Sequence, residues 1–100
     1  MDLNTSIEGT SAVIAIDGKL TVATAPELEA ALAEIPETVT DVALDMTNLV
    51  YVASAGLRVL VAAEKRMLRQ NGALRLLHPN DEVMEVFDMT GLVDIFTIER

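Results

Sequence analysis

The stretch Asp41-Val-Ala-Leu-Asp-Met46, followed after a short connection by Ser54-Ala-Gly-Leu-Arg-Val-Leu-Val-Ala-Ala63, decides the fold. The first segment is a short apolar run typical of a buried strand, and the second opens a long helix that we expect over about residues 55–71. Ser54 stands where a helix N-cap belongs, because Ser is among the residues preferred there. A buried strand that leads into a helix predicts a crossover connection and a largely parallel sheet.

Two strands and a helix are predicted before this unit. Thr5–Glu8 and Ala12–Asp17 are separated by a short glycine-containing turn, so we expect a hairpin. The second strand is continuously apolar over residues 13–16, which indicates burial on both faces. Thr24 offers the next helix an N-cap, with Glu27 three residues later in the position of a capping box.

A strand, a helix and a final strand are predicted after the long helix. Gly72 is expected to cap the C-terminus of that helix, and Leu68 is expected to point inward from its last turns. The apolar run Leu74–Leu77 predicts the next strand. Asn80 opens a short helix, and Asp94–Ile98 is expected to form the last strand.

The predicted element order, β-β-α-β-α-β-α-β, describes one α/β domain over residues 1–100 with helices packed on a mixed β-sheet. A length of 100 residues and a hydrophobic content of 51% suit a single folded core. The absence of Cys excludes disulfides and thiolate chemistry. The N-terminus shows no secretory signal, and no apolar run approaches the roughly 20 residues that span a bilayer. These features predict a cytoplasmic protein without membrane insertion.

The charge of the chain is strongly negative and unevenly spread. A net charge of −9 makes direct binding to a nucleic acid backbone unfavourable. Five of the seven basic residues nevertheless lie in one stretch: Arg58, Lys65, Arg66, Arg69 and Arg75. Two interpretations fit this stretch, a solvated helix face whose cations complement the helix dipole and a contact patch for an acidic protein surface.

Enzyme motifs are largely missing. Val52-Ala-Ser54-Ala-Gly56 lacks the first glycine of a nucleophile elbow, and no phosphate-binding glycine loop is present. His78 is the only histidine, and with no Cys a metal cluster is not expected. We therefore predict no catalytic residue, no metal and no cofactor.

Ser54 is the one residue whose local surroundings indicate a candidate functional site. Ala55 and Gly56 leave its hydroxyl and the first backbone N–H groups of the helix uncovered, at the positive end of the helix dipole. Such donors can hold a phosphate placed on the hydroxyl. From the residues alone, Ser54 is either an ordinary N-cap or the acceptor of a phosphoryl group.

Several segments together resemble the STAS domain of anti-sigma factor antagonists. Ala53-Ser-Ala-Gly-Leu-Arg58, preceded by Leu44-Asp-Met-Thr-Asn-Leu49, is similar to the strand end and Ser-x-Gly-Leu helix start of that family. Gly18-Lys-Leu20 with Thr24-Ala25 resembles its first strand-to-helix turn, and Phe87-Asp-Met-Thr-Gly-Leu92 its late Phe-Asp-x-Ser/Thr-Gly-Leu segment.

The resemblance implies a partner-switching regulator. In the family, the unphosphorylated antagonist binds an anti-sigma factor that is also a Ser/Thr kinase. Phosphorylation of the antagonist releases the anti-sigma factor, and a phosphatase removes the phosphate. The phosphoacceptor of the motif falls on Ser54, and ATP, Mg²⁺ and the catalytic base belong to the partner. The chain differs from many members at Ala53 and Thr21, where the family often carries Asp.

The expected partner-binding surface surrounds Ser54, because strand ends that lead into helices gather on one rim of such sheets. It is predicted to contain Thr21, Thr24, Asn48, Tyr51, Ala55, Gly56 and Arg58. Asp45 is expected to support the site by a hydrogen bond to the Ser54 loop. Two other functions remain open: a constitutive STAS accessory subunit of a lipid or anion transport complex, and a hydrolase that uses Ser54.

Overall fold

The computed structural model describes all residues from 1 to 100. The elements in chain order are β1 (Asp2–Glu8), β2 (Ser11–Leu20), α1 (Ala25–Ala33), β3 (Asp41–Val52), α2 (Ser54–Arg69), β4 (Ala73–Leu77), α3 (Asp81–Thr90) and β5 (Thr97–Glu99), with a short 3₁₀ turn at Leu92–Asp94. The five strands form one sheet in the order β1-β2-β3-β4-β5. β1 and β2 pair antiparallel, and all later pairs are parallel. The predicted α/β class, mixed sheet and element order are confirmed.

The sheet is covered by helices on one face and open on the other. Each crossover steps to the next strand in the same direction, and right-handed connections then place the helices on the same face. In β2, Ile14 and Ile16 are fully buried toward the helices, whereas Val13 is 39% exposed and Asp17 is exposed on the open face. The predicted burial of residues 13–16 on both faces is therefore wrong.

A single cluster of 24 buried apolar residues lies between the sheet and the helices. Leu44, Leu60, Leu76 and Phe87 are completely inaccessible within it. Leu68 lies outside the cluster, because the helix turns it to solvent with 66% of its surface exposed. The prediction that Leu68 points inward is wrong.

β3 is one continuous strand of 12 residues, Asp41–Val52, so the predicted short connection between Met46 and Ser54 belongs almost entirely to the strand. It carries two extra residues relative to β2, because its register shifts between Asp45 and Asn48 and again between Leu49 and Tyr51. Bulges of this kind let a strand include polar residues whose sequence is otherwise typical of a connecting loop. The second half of β3 extends beyond the end of β4, where the Asn80 side chain donates to the Leu49 carbonyl oxygen at 3.2 Å.

The helix ends differ from the prediction by one or two residues. α2 ends at Arg69, and the left-handed residue that follows is Asn71, with φ of 56°. The Gly72 N–H donates to the Met67 carbonyl oxygen at 2.8 Å. A Cβ on Gly72 would lie 2.5 Å from the Thr40 carbonyl oxygen, so glycine is needed there for close approach rather than for a left-handed turn. None of the three helices has the length and apolarity that a membrane-spanning helix requires.

Candidate partner-binding site around Ser54

Ser54 is exposed at the first residue of α2. The N-cap is Ala53, whose backbone is extended (φ −97°, ψ 172°) and whose carbonyl oxygen accepts the first helical hydrogen bond, from the Leu57 N–H at 3.0 Å. The prediction of Ser54 as the N-cap is thus wrong by one residue. Its hydroxyl has no hydrogen bond within the chain and points to solvent from the first turn.

The N-terminus of α2 is not neutralised by any side chain. No side chain accepts a hydrogen bond from its first N–H groups, and its first turn contains no acidic residue. The other helices differ, since α1 has Glu27 in its first turn and the Asn80 side chain accepts from the Val83 N–H at 2.7 Å at the start of α3. The first turn of α2 therefore keeps unpaired donors and uncompensated partial positive charge next to the Ser54 hydroxyl.

The turn between β2 and α1 lies beside this helix start, as the sequence predicts. The Ala53 N–H donates to the Leu20 carbonyl oxygen at 2.8 Å, which joins the end of β2 to the start of α2. Thr24 Oγ1 accepts from the Thr21 N–H at 2.8 Å and donates to the Lys19 carbonyl oxygen at 2.7 Å. Because its hydroxyl is used inside the turn, Thr24 makes no capping hydrogen bond to α1, and the predicted capping box is wrong.

Gly56 is buried rather than presented to a partner. A Cβ at this position would lie 2.6 Å from Leu20 Cγ and 3.0 Å from Val52 Cγ2. Glycine thus lets α2 approach the end of the sheet closely, and Gly56 contributes to the predicted surface only by setting where the helix starts. Ala55, its neighbour, is half-buried and does line the surface.

Arg58 is exposed one helical turn after Ser54 and forms no hydrogen bond or ion pair within the chain. It lines a shallow cavity of about 270 Å³ between the starts of α1 and α2, together with Val22 and Pro26. Val22 is 78% exposed at the tip of the β2–α1 turn. Val22 lies inside the predicted turn between Thr21 and Thr24 but was not singled out as a site residue, although an apolar side chain at a polar turn was a usable signal.

Asp45 and Asn48 lie away from Ser54. Both line a pocket on the open face of the sheet, with Ala15 and Asp17. Asp45 Oδ1 accepts from the Thr47 N–H at 3.0 Å and from Thr47 Oγ1 at 2.6 Å, and these hydrogen bonds lower the pKa of the Asp45 carboxyl. Asp45 therefore supports the first bulge of β3, and its predicted hydrogen bond to the Ser54 loop is absent.

Tyr51 and His78 occupy exposed positions. Tyr51 is 41% exposed and pairs with Lys19 across the sheet near the end of β3, two residues before Ala53. Val50, next to it, is 49% exposed. His78 is exposed just after β4. Thr21, Thr24, Tyr51, Ala55 and Arg58 are thus brought to the Ser54 end of the molecule, whereas Asn48 is on the open face.

The sequence pattern of the STAS domain matches residues 3–100. The chain belongs to the STAS domain family. Its curated relatives include the anti-sigma-B factor antagonist of Bacillus subtilis, which is 34% identical over 83 residues and covers 83% of this chain and 76% of the relative. The anti-sigma factor antagonist homologue BtrV of Bordetella bronchiseptica is 34% identical over 87 residues, with coverage of 86% and 75%. These are names of antagonist proteins and not of enzymes.

Solved structures confirm the STAS fold. A Thermotoga maritima protein, described as an anti-sigma factor antagonist, superposes with a TM-score of 0.89 at 19% identity, over 98% of this chain and 86% of that one. The Bacillus protein SpoIIAA superposes with TM-scores of 0.75 in its unphosphorylated form and 0.77 in its phosphorylated form. The unphosphorylated form is 15% identical and aligns over 99% of this chain and 88% of SpoIIAA. The phosphorylated form is 18% identical and aligns over 99% of this chain and 92% of SpoIIAA.

Proposed function

We propose that this STAS domain is an anti-sigma factor antagonist that binds an anti-sigma factor with Ser/Thr kinase activity and is released when that kinase phosphorylates Ser54. A Ser/Thr phosphatase restores the binding form. The observation that carries the proposal is the exposed Ser54 hydroxyl at a helix N-terminus that no side chain neutralises. Such a role places the protein in the cytoplasm, with its sigma factor and ATP.

The fold can accept the phosphate without unfolding. A phosphoserine carries a charge of about −1.5 to −2 at pH 7 and three acceptor oxygens. The unpaired N–H groups of the first turn of α2 offer it donors, and the helix dipole favours its charge. SpoIIAA, which shares the fold, is known in a phosphorylated and an unphosphorylated form, and both superpose on this chain.

The surface around Ser54 suits a protein partner. Val22, just after β2, and Tyr51, which pairs with Lys19 of β2, expose apolar area, while Arg58 adds an unpaired cation. Exposed aromatic, apolar and Arg side chains are the groups enriched at the centres of protein interfaces. A dianion on Ser54 would lie inside this contact area, where an unmatched charge is costly to desolvate.

The test uses the anti-sigma factor kinase of the same organism with MgATP. We expect a mass gain of one phosphate on the wild type, none on Ser54→Ala, and the full gain on Ser6→Ala, which alters an exposed serine on the distant strand β1. The phosphorylated protein should bind the anti-sigma factor about 100-fold more weakly, since placing an unpaired charge in an interface costs several kcal/mol.

Two results would overturn the proposal. Phosphate on Ser54→Ala would place the modification elsewhere. Equal binding of the phosphorylated and unphosphorylated protein would indicate a constitutive binding subunit, which is the role of a STAS component in a transport complex.

A further inference from the structure

The exposed face of α2 has a charge opposite to that of the rest of the molecule. Arg58, Lys65 and Arg69 lie along it at spacings of seven and four residues, in line with Ser54. The only acidic residue of α2 is Glu64, which is turned toward the core with 7% of its surface exposed. We call Arg58, Lys65 and Arg69 the α2 basic band; it contains no acidic side chain, on a chain of net charge −9.

The α2 basic band has no partner inside the chain. Arg75 pairs with Asp41 and Glu99, Arg100 pairs with Asp81, and Arg66 donates to main-chain carbonyl oxygens. No such contact involves Arg58, Lys65 or Arg69, although the chain has 16 acidic residues. Its cations therefore stay available to carboxylates of another molecule.

A groove with apolar walls runs along the same face. It has a volume of about 530 Å³ and lies between α2 and the segment that follows α3. Leu57, Val61 and Leu92 line it, Arg58 and Lys65 stand at its edge, and Ser54 lies at one end. Leu68, 66% exposed, follows Val61 and Lys65 along the helix. Apolar contact area beside regularly spaced cations matches a segment with apolar residues on one side and carboxylates on the other.

We propose that this groove and the α2 basic band dock an acidic amphipathic segment of the anti-sigma factor, and that Arg58 exchanges a carboxylate of that segment for the phosphate when Ser54 is modified. This inference rests on the proposed function. It adds the chemistry of the partner segment and identifies Arg58 as the residue whose ion pair changes on phosphorylation. Three cations on a chain of this net charge are too few to hold a nucleic acid backbone, so charge complementarity favours an acidic protein segment.

The helix geometry explains the role of Arg58. Residues four apart on a helix have Cβ atoms about 5–6 Å apart, so Arg58 can reach an oxygen on Ser54. A guanidinium binds phosphate through two parallel hydrogen bonds, and such charge-assisted bonds are stronger than neutral ones. Phosphorylation thus both adds negative charge to the surface and withdraws the cation nearest to it.

The first experiment measures binding of the unphosphorylated protein to the anti-sigma factor. Arg58→Gln, Lys65→Gln and Arg69→Gln should each weaken binding about 3-fold to 30-fold at 50 mM salt, with a smaller effect at 500 mM because salt screens exposed charges. Arg75→Gln is the matched control, since it removes the same charge from the open face of the sheet. If the three α2 variants bind no worse than Arg75→Gln, the α2 basic band is not the docking surface. The proposed phosphorylation of Ser54 is independent of this result, because it is tested by the mass gain.

The second experiment needs no partner. With phosphoserine installed at position 54, ³¹P NMR gives the second pKa of the phosphate. We expect Arg58→Gln to raise that pKa toward the free value of about 6, and Lys65→Gln, eleven residues from Ser54, to leave it unchanged. Equal pKa values in the wild type and Arg58→Gln would overturn the exchange. Binding to a fluorescent DNA duplex is measured for comparison. If the wild type binds the duplex and the Arg58→Gln variant does not, the α2 basic band binds nucleic acid and the assignment of an acidic protein segment is wrong.

Discussion

The Ala53 N–H donates to the Leu20 carbonyl oxygen at 2.8 Å, and through this hydrogen bond the end of β2 fixes where α2 begins. Gly56, one turn later, lets the helix rest on Leu20 without a side chain between them. The two contacts hold the Thr21–Thr24 turn beside Ser54. The position of the Ser54 hydroxyl therefore depends on packing of α2 against one buried leucine.

Gly56→Ala should destabilise the protein. The added Cβ would lie 2.6 Å from Leu20 Cγ, and Leu20 is completely buried. Overpacking of this kind costs about 1–3 kcal/mol, from which about 1 kcal/mol of improved helix propensity is subtracted. Thermal unfolding should show a lower Tm for Gly56→Ala and little change for Ala55→Ser at the half-buried neighbour. A Tm above that of the wild type would show that Leu20 moves aside at no cost.

Ala53→Ser should stabilise the protein, because Ala53 already has N-cap geometry but no side-chain acceptor. A hydroxyl there can accept from the N–H groups of the first turn, a contact worth about 0.5–2 kcal/mol. Chemical denaturation would measure the gain. Ala62→Ser, on the exposed middle of the same helix, should show none. No gain at Ala53 would mean that these N–H groups are already satisfied by solvent.

The sequence was sufficient for the order of elements, because long periodic segments such as α2 and short apolar runs such as Leu74–Leu77 carry strong local signals. It failed where tertiary structure overrides local pattern. The bulges of β3 bring Thr47 into a strand through its hydrogen bonds to Asp45. Residues 13–16 were predicted to be buried on both faces, but all crossovers run in one direction and leave one face open.

The structure brings most of the predicted site residues to the Ser54 end of the molecule, but their local geometry differs from the prediction. An exposed serine at the start of the long helix follows from the strand–helix boundary at residues 52–55. Whether Ala53 or Ser54 is the cap residue depends on one dihedral angle, which sequence patterns do not resolve. Asn48 lies on the open face and Ser54 at the start of α2 because of the bulges in β3. Each extra residue in a strand changes which of the following side chains point to the helices.

Arg66→Lys should destabilise the packing of α1 on α2. The Arg66 guanidinium donates to the carbonyl oxygens of Leu32 at 2.6 Å and Ile35 at 2.7 Å, at the C-terminus of α1, and its Nε donates to Gln70 Oε1 at 2.7 Å. A lysine cannot reproduce this planar set of donors. We expect a loss of about 1–3 kcal/mol in urea denaturation, the typical cost of hydrogen bonds to a charged group.

Arg69→Lys is the matched control for Arg66→Lys, since Arg69 is exposed on the same helix and makes no hydrogen bond. Its effect should stay within about 0.5 kcal/mol, as for surface substitutions generally. Equal effects of the two substitutions would show that Arg66 acts only through its charge.

Glu64→Gln should stabilise the protein at neutral pH and lose that advantage in acid. Burial raises the pKa of the Glu64 carboxyl above its ordinary value of 4.5, because the charged form is poorly solvated beside the core. Between 4.5 and the raised pKa, the folded state holds a proton that the unfolded state releases, so the free energy of unfolding falls as pH rises. Glutamine removes that loss while keeping the shape. The Tm of Glu64→Gln should exceed that of the wild type at pH 7 and converge with it near pH 4, whereas Glu85→Gln, exposed on α3, should show no such convergence. A constant Tm difference from pH 4 to pH 7 would mean that ionisation of Glu64 does not limit stability.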